Sequence, residues 1–170
     1  LPNNAQNSVT TMVNMCNSCY RLGSITLPTS LTGVTTLATA FQYCYSLTSL
    51  TFPSTMNAVT TLASAFYTCN NLETITLPTS MSLCTNFSST FYGCVKLKTV
   101  TLPSTVAAGT TTFDSCFFRC GDLSTITLPT TQMTGLTTAA SFILNAGRVS
   151  TINNTSKLGS LTSTPLVSFA

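Results

Sequence analysis

Cysteine and threonine are the residues whose placement in this sequence suggests chemistry. Cys16-x-x-Cys19 has the spacing of half a structural zinc site, but no matching second pair and no histidine accompany it. Five of the eight cysteines, Cys19, Cys44, Cys69, Cys94 and Cys120, recur at one constant interval that lengthens by a single position at the last step. A reactive thiol needs a base or a cationic cluster to lower its pKa, and the sequence places none beside them. Acid–base chemistry is equally short of groups. Histidine is absent, and Glu73, Asp114 and Asp122 are the only acids, too few for carboxylate dyads or hard-cation sites. Six Lys/Arg residues give a net charge of +3 over 170 residues, which makes no phosphate-binding stripe. No catalytic residue, metal site or cofactor is expected, and no nucleic-acid partner.

Threonine is the abundant functional group, with 36 copies in a chain that is only 5% charged. Its placement is periodic. Leu22-Gly-Ser-Ile-Thr-Leu-Pro28 recurs as Leu47-Thr-Ser-Leu-Thr-Phe-Pro53, Leu72-Glu-Thr-Ile-Thr-Leu-Pro78, Leu97-Lys-Thr-Val-Thr-Leu-Pro103 and Leu123-Ser-Thr-Ile-Thr-Leu-Pro129. Pro2 fits one step earlier, and Val149-Ser-Thr-Ile152-Asn fits one step later without its proline. A repeat of this length carrying L-x-x-L-x-L is a leucine-rich-repeat signature.

The elements that must position these groups follow from two periodicities. In Ser24-Ile25-Thr26-Leu27 the apolar residues alternate, so Ile25 and Leu27 point inward and Ser24 and Thr26 outward on a strand. The proline that follows has no N–H to donate and ends the ladder at the same place in each coil. Val34, Leu37, Phe41, Cys44 and Leu47 are then spaced in steps of three and four, which predicts a short helix with one inward face. The set repeats as Val59, Leu62, Phe66, Cys69 and as Cys84, Phe87, Phe91, Cys94. The expected fold is therefore an α/β solenoid of about six coils, with a parallel sheet on one face and short helices on the other. Residues 1–170 form a single domain, with repeats starting near Leu22, Leu47, Leu72, Leu97, Leu123 and Val149. A lone coil buries too little apolar surface to offset the entropy of ordering its backbone, so stability must come from stacking. Beyond Ile152, Leu158 and Leu161 stay in phase while Ser168 replaces the expected Phe. Neither end reads as a polar cap, so a fragment of a longer chain is expected, its ends covered by flanking domains, further repeats or partner subunits. No apolar run approaches the roughly 18–20 residues needed to span a bilayer.

Stacked coils bring the repeated cysteines within about 5 Å of one another, within range of some disulfides. Their phase points them inward beside Phe, where a free cysteine acts as a small hydrophobe, and a column of buried thiols is expected. Cysteine usage therefore fixes no redox compartment. Glu73 and Lys98 fall side by side in adjacent coils, which predicts an exposed ion pair. Asp114, Arg119 and Asp122 fall on a solvated edge, and the glycosylation triplets at Asn86 and Asn153 carry little weight.

The in-phase Leu-x-x-Ile-Thr-Leu-Pro, the Ala/Ser-Phe-x-x-Cys closing the second half of each coil and the constant repeat length resemble the BspA-like leucine-rich repeats of bacterial surface proteins, which also occur in bacteriophage proteins. The resemblance covers about residues 5–161 and implies an extracellular or particle-surface protein used in adhesion or attachment, without enzymatic activity. This chain departs from it in being rich in Thr and poor in charge.

Outward strand positions give two columns that form the candidate ligand-binding face: Ser24, Ser49, Thr74, Thr99, Thr125 and Thr26, Thr51, Thr76, Thr101, Thr127. Thr151 and Asn153 extend the columns by one coil. Strands about 4.8 Å apart, with alternate residues about 6.6–7 Å apart, would space these hydroxyls as a regular grid. Threonine is also simply a good solvent-facing strand residue. The grid suits a protein or glycan partner on a cell surface, or neighbouring subunits of an assembly, since so uncharged a surface resists association poorly. An alternative use is ice binding, for which Thr-x-Thr arrays on solenoid sheets resemble the faces of insect antifreeze proteins. The expected function is a non-enzymatic adhesion or assembly module of an extracellular or virion-surface protein.

Overall fold

The computed structural model describes residues 9–110 and 112–156. Pro2, Leu158, Leu161 and Ser168 lie outside the described residues. The chain winds in stacked coils that keep the register expected from the repeat. Strand β1 (Ser49–Thr51) pairs in parallel with β2 (Thr74–Thr76), and β3 (Ser80–Met81) with β5 (Thr105–Val106). Strand β4 (Thr99–Thr101) pairs with β6 (Thr125–Thr127), which pairs with β7 (Thr151–Asn153). Every pairing sets a residue against its repeat equivalent, as in Leu50 against Ile75 and Val100 against Ile126. A slip by a single position would turn the Leu/Ile/Val row out to water, so burial fixes the register.

The core is the predicted one. Leu37, Phe41, Cys44, Leu47 and Leu50 are buried, as are their equivalents in later coils except Ile75, Ala139 and Ile152, which are half-buried. Phe41, Phe66, Phe91 and Phe117 stack as a column with ring centroids 5.6, 5.4 and 5.5 Å apart and planes within 7° of parallel.

The predicted helices are absent. No α-helix occurs among the described residues, and the second half of each coil is a chain of tight turns. Ala40 N–H donates to Leu37 O at 3.0 Å, Gln42 to Thr39 at 3.2 Å and Cys44 to Phe41 at 3.1 Å. The first and third of these turns carry positive φ at their third residue, 56° at Thr39 and 61° at Tyr43. The same left-handed pair recurs at Asn14/Ser18, Ser64/Thr68, Ser89/Gly93, Ser115/Arg119 and Ser141/Asn145. The intervening N–H groups leave the coil altogether. Leu37, Thr39, Phe41 and Tyr43 donate to the carbonyls of Thr61, Ala63, Ala65 and Tyr67 in the next coil, at 2.9–3.1 Å.

The turns in place of helices have a geometric cause. A helix consumes its N–H groups internally and is about 10–12 Å across, whereas strands stack at about 4.7–4.9 Å. Turns with alternating donors keep the back of the coil as thin as the strand side. Steps of three and four point the same side chains inward in either case, so the core row was legible while the backbone was not.

Among the described residues, the turn ladder runs through every coil junction: the Leu37-to-Thr61 bond recurs as Met12 to Thr36, Leu62 to Asn86, Phe87 to Thr112 and Phe113 to Thr138. The strand ladder does not. Residues 24–26 form no strand, and β2 has no hydrogen-bonded partner in β4. The turns, more than the sheet, hold the stack together. No helix of the described residues is long and apolar enough to cross a membrane.

Candidate interaction face

The strands place their outer residues as the alternation requires. Ser49 and Thr51, Thr74 and Thr76, and Thr99 and Thr101 are exposed, flanking buried or half-buried Leu50, Ile75 and Val100. Thr125 and Thr127 are half-buried around Ile126, and Thr151 and Asn153 are exposed around Ile152. Ser24 and Thr26 are exposed but stand on non-strand backbone. The expected grid is therefore regular in two blocks, coils β1–β2 and coils β4–β6–β7, and is not continuous.

Each interruption opens a groove. One of about 470 Å³ runs between residues 24–29 and 49–53. Another of about 320 Å³ is lined by Ile75, Thr76, Leu77, Pro78 and Thr79 on one wall and by Thr99, Thr101, Leu102 and Ser104 on the other. Among the described residues, no charged side chain lines either groove. The second is bridged at both ends. Lys98 Nζ meets Glu73 Oε2 at 3.3 Å, and Ser104 Oγ donates to Thr79 O at 2.9 Å. The face thus offers hydroxyl donors and acceptors and apolar Leu/Pro surface, and chemistry with a charged ligand is not built into it. The Glu73–Lys98 pair is the expected one, and its exposure makes it worth at most about 1 kcal/mol.

The cysteine column is buried at Cys44, Cys69, Cys94 and Cys120, all as free thiols. Each thiol has a specific acceptor. Cys69 Sγ donates to Phe41 O, Cys94 to Phe66 O and Cys120 to Phe91 O, at 3.0–3.1 Å, always to the preceding coil. Burial pushes Cys69 and Cys120 up to about 12. They are structural groups, not nucleophiles. Cys19 departs from the expectation, because in the first described coil it is exposed. Among the described residues no three His, Cys, Asp or Glu side chains converge as metal ligands.

The acidic edge is also more specific than its sequence suggested. Asp114 Oδ1 accepts from Ala140 N–H at 2.7 Å, Asp122 pairs with Arg148 at 3.7 Å, and the Arg119 guanidinium lies over the Phe118 ring. Asn86 Oδ1 accepts from Ser88 N–H within its own turn.

Sequence reasoning missed a second surface feature. Tyr67, Tyr92 and Phe118 stack along the turn side with centroids 4.5 and 4.7 Å apart. Tyr43 meets Tyr67 edge-on, and Tyr20 stacks on Tyr45 at 5.2 Å. The recurrence of Tyr67, Tyr92 and Phe118, and of Tyr20 and Tyr45, at the repeat interval was the available signal, but it falls outside the inward row and the strand pattern.

No curated protein sequence matches the chain. In structure it is similar to a leucine-rich cell surface protein of Faecalibacterium prausnitzii, with a TM-score of 0.52, 24% identity, and coverage of 74% of this chain and 31% of the other. The chain therefore spans about a third of that relative, and the likeness shows the fold. It is also similar to a T. pallidum leucine-rich repeat protein, with a TM-score of 0.44, 20% identity, and coverage of 75% of this chain and 67% of that one. The family profile of the BspA type leucine rich repeat region matches in six copies, over residues 4–63 and 38–164. With its repeat, its parallel pairings and its inward rows thus accounted for, the chain belongs to the BspA-type leucine-rich repeat family.

Proposed function

We propose that this chain is a non-enzymatic repeat module of a cell-surface or virion-surface protein, making adhesion, attachment or assembly contacts through its Ser/Thr face. One observation carries the reading. Two adjacent columns of outward hydroxyls, held in register by a buried or half-buried Leu/Ile/Val row, form an uncharged surface with two grooves in it. Such a surface recognises a partner by many weak hydrogen bonds and apolar contacts, which suits a protein or a glycan. The description of the F. prausnitzii relative as a cell surface protein supports the setting. Among the described residues, two of the three acids are paired with cations, Glu73 with Lys98 and Asp122 with Arg148.

The test is binding of the labelled chain to arrayed glycans and extracellular matrix proteins, with a Thr76→Lys/Thr101→Lys variant beside it. The expected result is a wild-type signal that the variant loses while keeping its melting temperature. A signal that survives the double substitution but disappears in Tyr92→Ser moves the contact to the turn side and refutes the proposal. Ice binding by the same columns has its own readout: thermal hysteresis abolished by Thr76→Leu and Thr101→Leu would replace the attachment reading. The interrupted ladder limits any lattice-matched array to blocks of two and three coils.

A further inference from the structure

From the second coil to the fifth, the turn half carries Phe-x-x-Cys: Phe41/Cys44, Phe66/Cys69, Phe91/Cys94 and Phe117/Cys120. The first coil carries Cys16-x-x-Cys19 in those positions. The inward aromatic ring is thus replaced by a second thiol in one coil only. The turn geometry then brings the two cysteines together. Cys19 N–H donates to Cys16 O at 3.1 Å, closing a four-residue turn with positive φ (61°) at Ser18. Residues that close such a turn have Cα atoms less than about 7 Å apart, within the span a disulfide bridges. Cys19 is exposed and Cys16 is half-buried.

We propose that Cys16 and Cys19 form a redox-active surface dithiol that closes to an intramolecular disulfide on meeting a low-molecular-weight disulfide such as oxidised glutathione. The exposed Cys19 thiolate attacks one sulfur of the oxidant and expels a glutathione thiolate, leaving a mixed disulfide. Cys16, deprotonated, then attacks the Cys19 sulfur and expels the second glutathione thiolate. Two electrons and two protons pass from the protein to two glutathione molecules, and one S–S bond replaces another. Burial, followed by the neighbouring Cys19, pushes the Cys16 thiol up, which is consistent with Cys19 making the first attack.

The remaining thiols are not equivalent to this pair. Cys44 lies in the adjacent coil and is the competing partner, but it is buried and its Sγ donates to Cys16 O at 3.1 Å. Cys69, Cys94 and Cys120 are buried and committed to carbonyls in the same way.

The sequence makes the test clean. Arg21 is the first tryptic site, and Lys96 is the next, so Cys16 and Cys19 share the peptide 1–21 while Cys44 falls in 22–96. The native, fully reduced chain is incubated with oxidised glutathione, alkylated, digested and weighed. The expected product is peptide 1–21 lighter by two hydrogens and unalkylated, with the thiols of 22–96 alkylated after denaturation. A Cys16→Phe variant, which restores the motif of the second to fifth coils, is expected to fold and to accumulate a single stable glutathione adduct on Cys19. A disulfide joining 1–21 to 22–96 overturns the proposal, as does a wild-type chain that stops at the Cys19 adduct or keeps both thiols.

Discussion

Gly93 decides between two backbones for the turn half of each coil, because the same substitution has opposite signs in each. In a helix, Gly93→Ala stabilises by about 1 kcal/mol, the propensity difference between the residues. In this structure Gly93 has φ +71°, where a Cβ costs roughly 1–2 kcal/mol. Part of that is offset because Ala restricts the unfolded chain, by about 0.4–1 kcal/mol. The net expectation is a loss of about 1 kcal/mol. Space is not the cause: an added Cβ would sit 3.5 Å from Thr68 Oγ1 and 3.6 Å from Thr68 Cα, ordinary contacts. The sign therefore reports the backbone alone. Thr68 is the equivalent residue one coil earlier, with φ 59° and a branched Cβ, so Thr68→Gly is expected to stabilise. Urea unfolding followed by far-UV circular dichroism reads both. With a slope of about 2 kcal/mol per molar, Gly93→Ala should lower the midpoint by about 0.5 M, and Thr68→Gly should raise it. A midpoint raised by Gly93→Ala would refute the turn ladder and reinstate the helix.

Phe66→Ala removes a fully buried ring stacked on Phe41 and Phe91 at 5.6 and 5.4 Å, and should cost about 3–5 kcal/mol in the same unfolding assay. A loss below about 1 kcal/mol would show that the core collapses around the site and that the ring column is not what couples the coils. Alkaline pH should unfold the chain through its thiols. Burial holds Cys69, Cys84 and Cys120 at about 12, against an ordinary 9. Above pH 9 the unfolded chain ionises these groups while the folded one keeps its protons, so stability is flat below that pH. It then falls toward pH 12 by on the order of 1 kcal/mol per thiol per pH unit. Urea midpoints of the reduced chain that stay level from neutral pH to about pH 10 would contradict the buried thiol column.

The sequence by itself determined the repeat, its register and the inward rows. A hydrophobic pattern states which residues leave water, and that preference survives any backbone that presents them together. Leu50, Phe66 and Cys69 are buried where their phase put them, and Glu73 meets Lys98 because equivalent positions in stacked coils must be neighbours. The two outward hydroxyl columns were legible for the same reason. Tertiary structure alone decided where the backbone hydrogen bonds go. Steps of three and four fit a helix or a chain of turns equally well, and nothing in Thr39 or Tyr43 announces a left-handed φ. The distance between coils makes that choice, since a neighbour about 5 Å away takes N–H groups that a helix would keep for itself. The gap between β2 and β4, the Tyr67–Tyr92–Phe118 ladder and the exposure of Cys19 also depend on how whole coils settle against each other, a non-local balance that no single repeat contains.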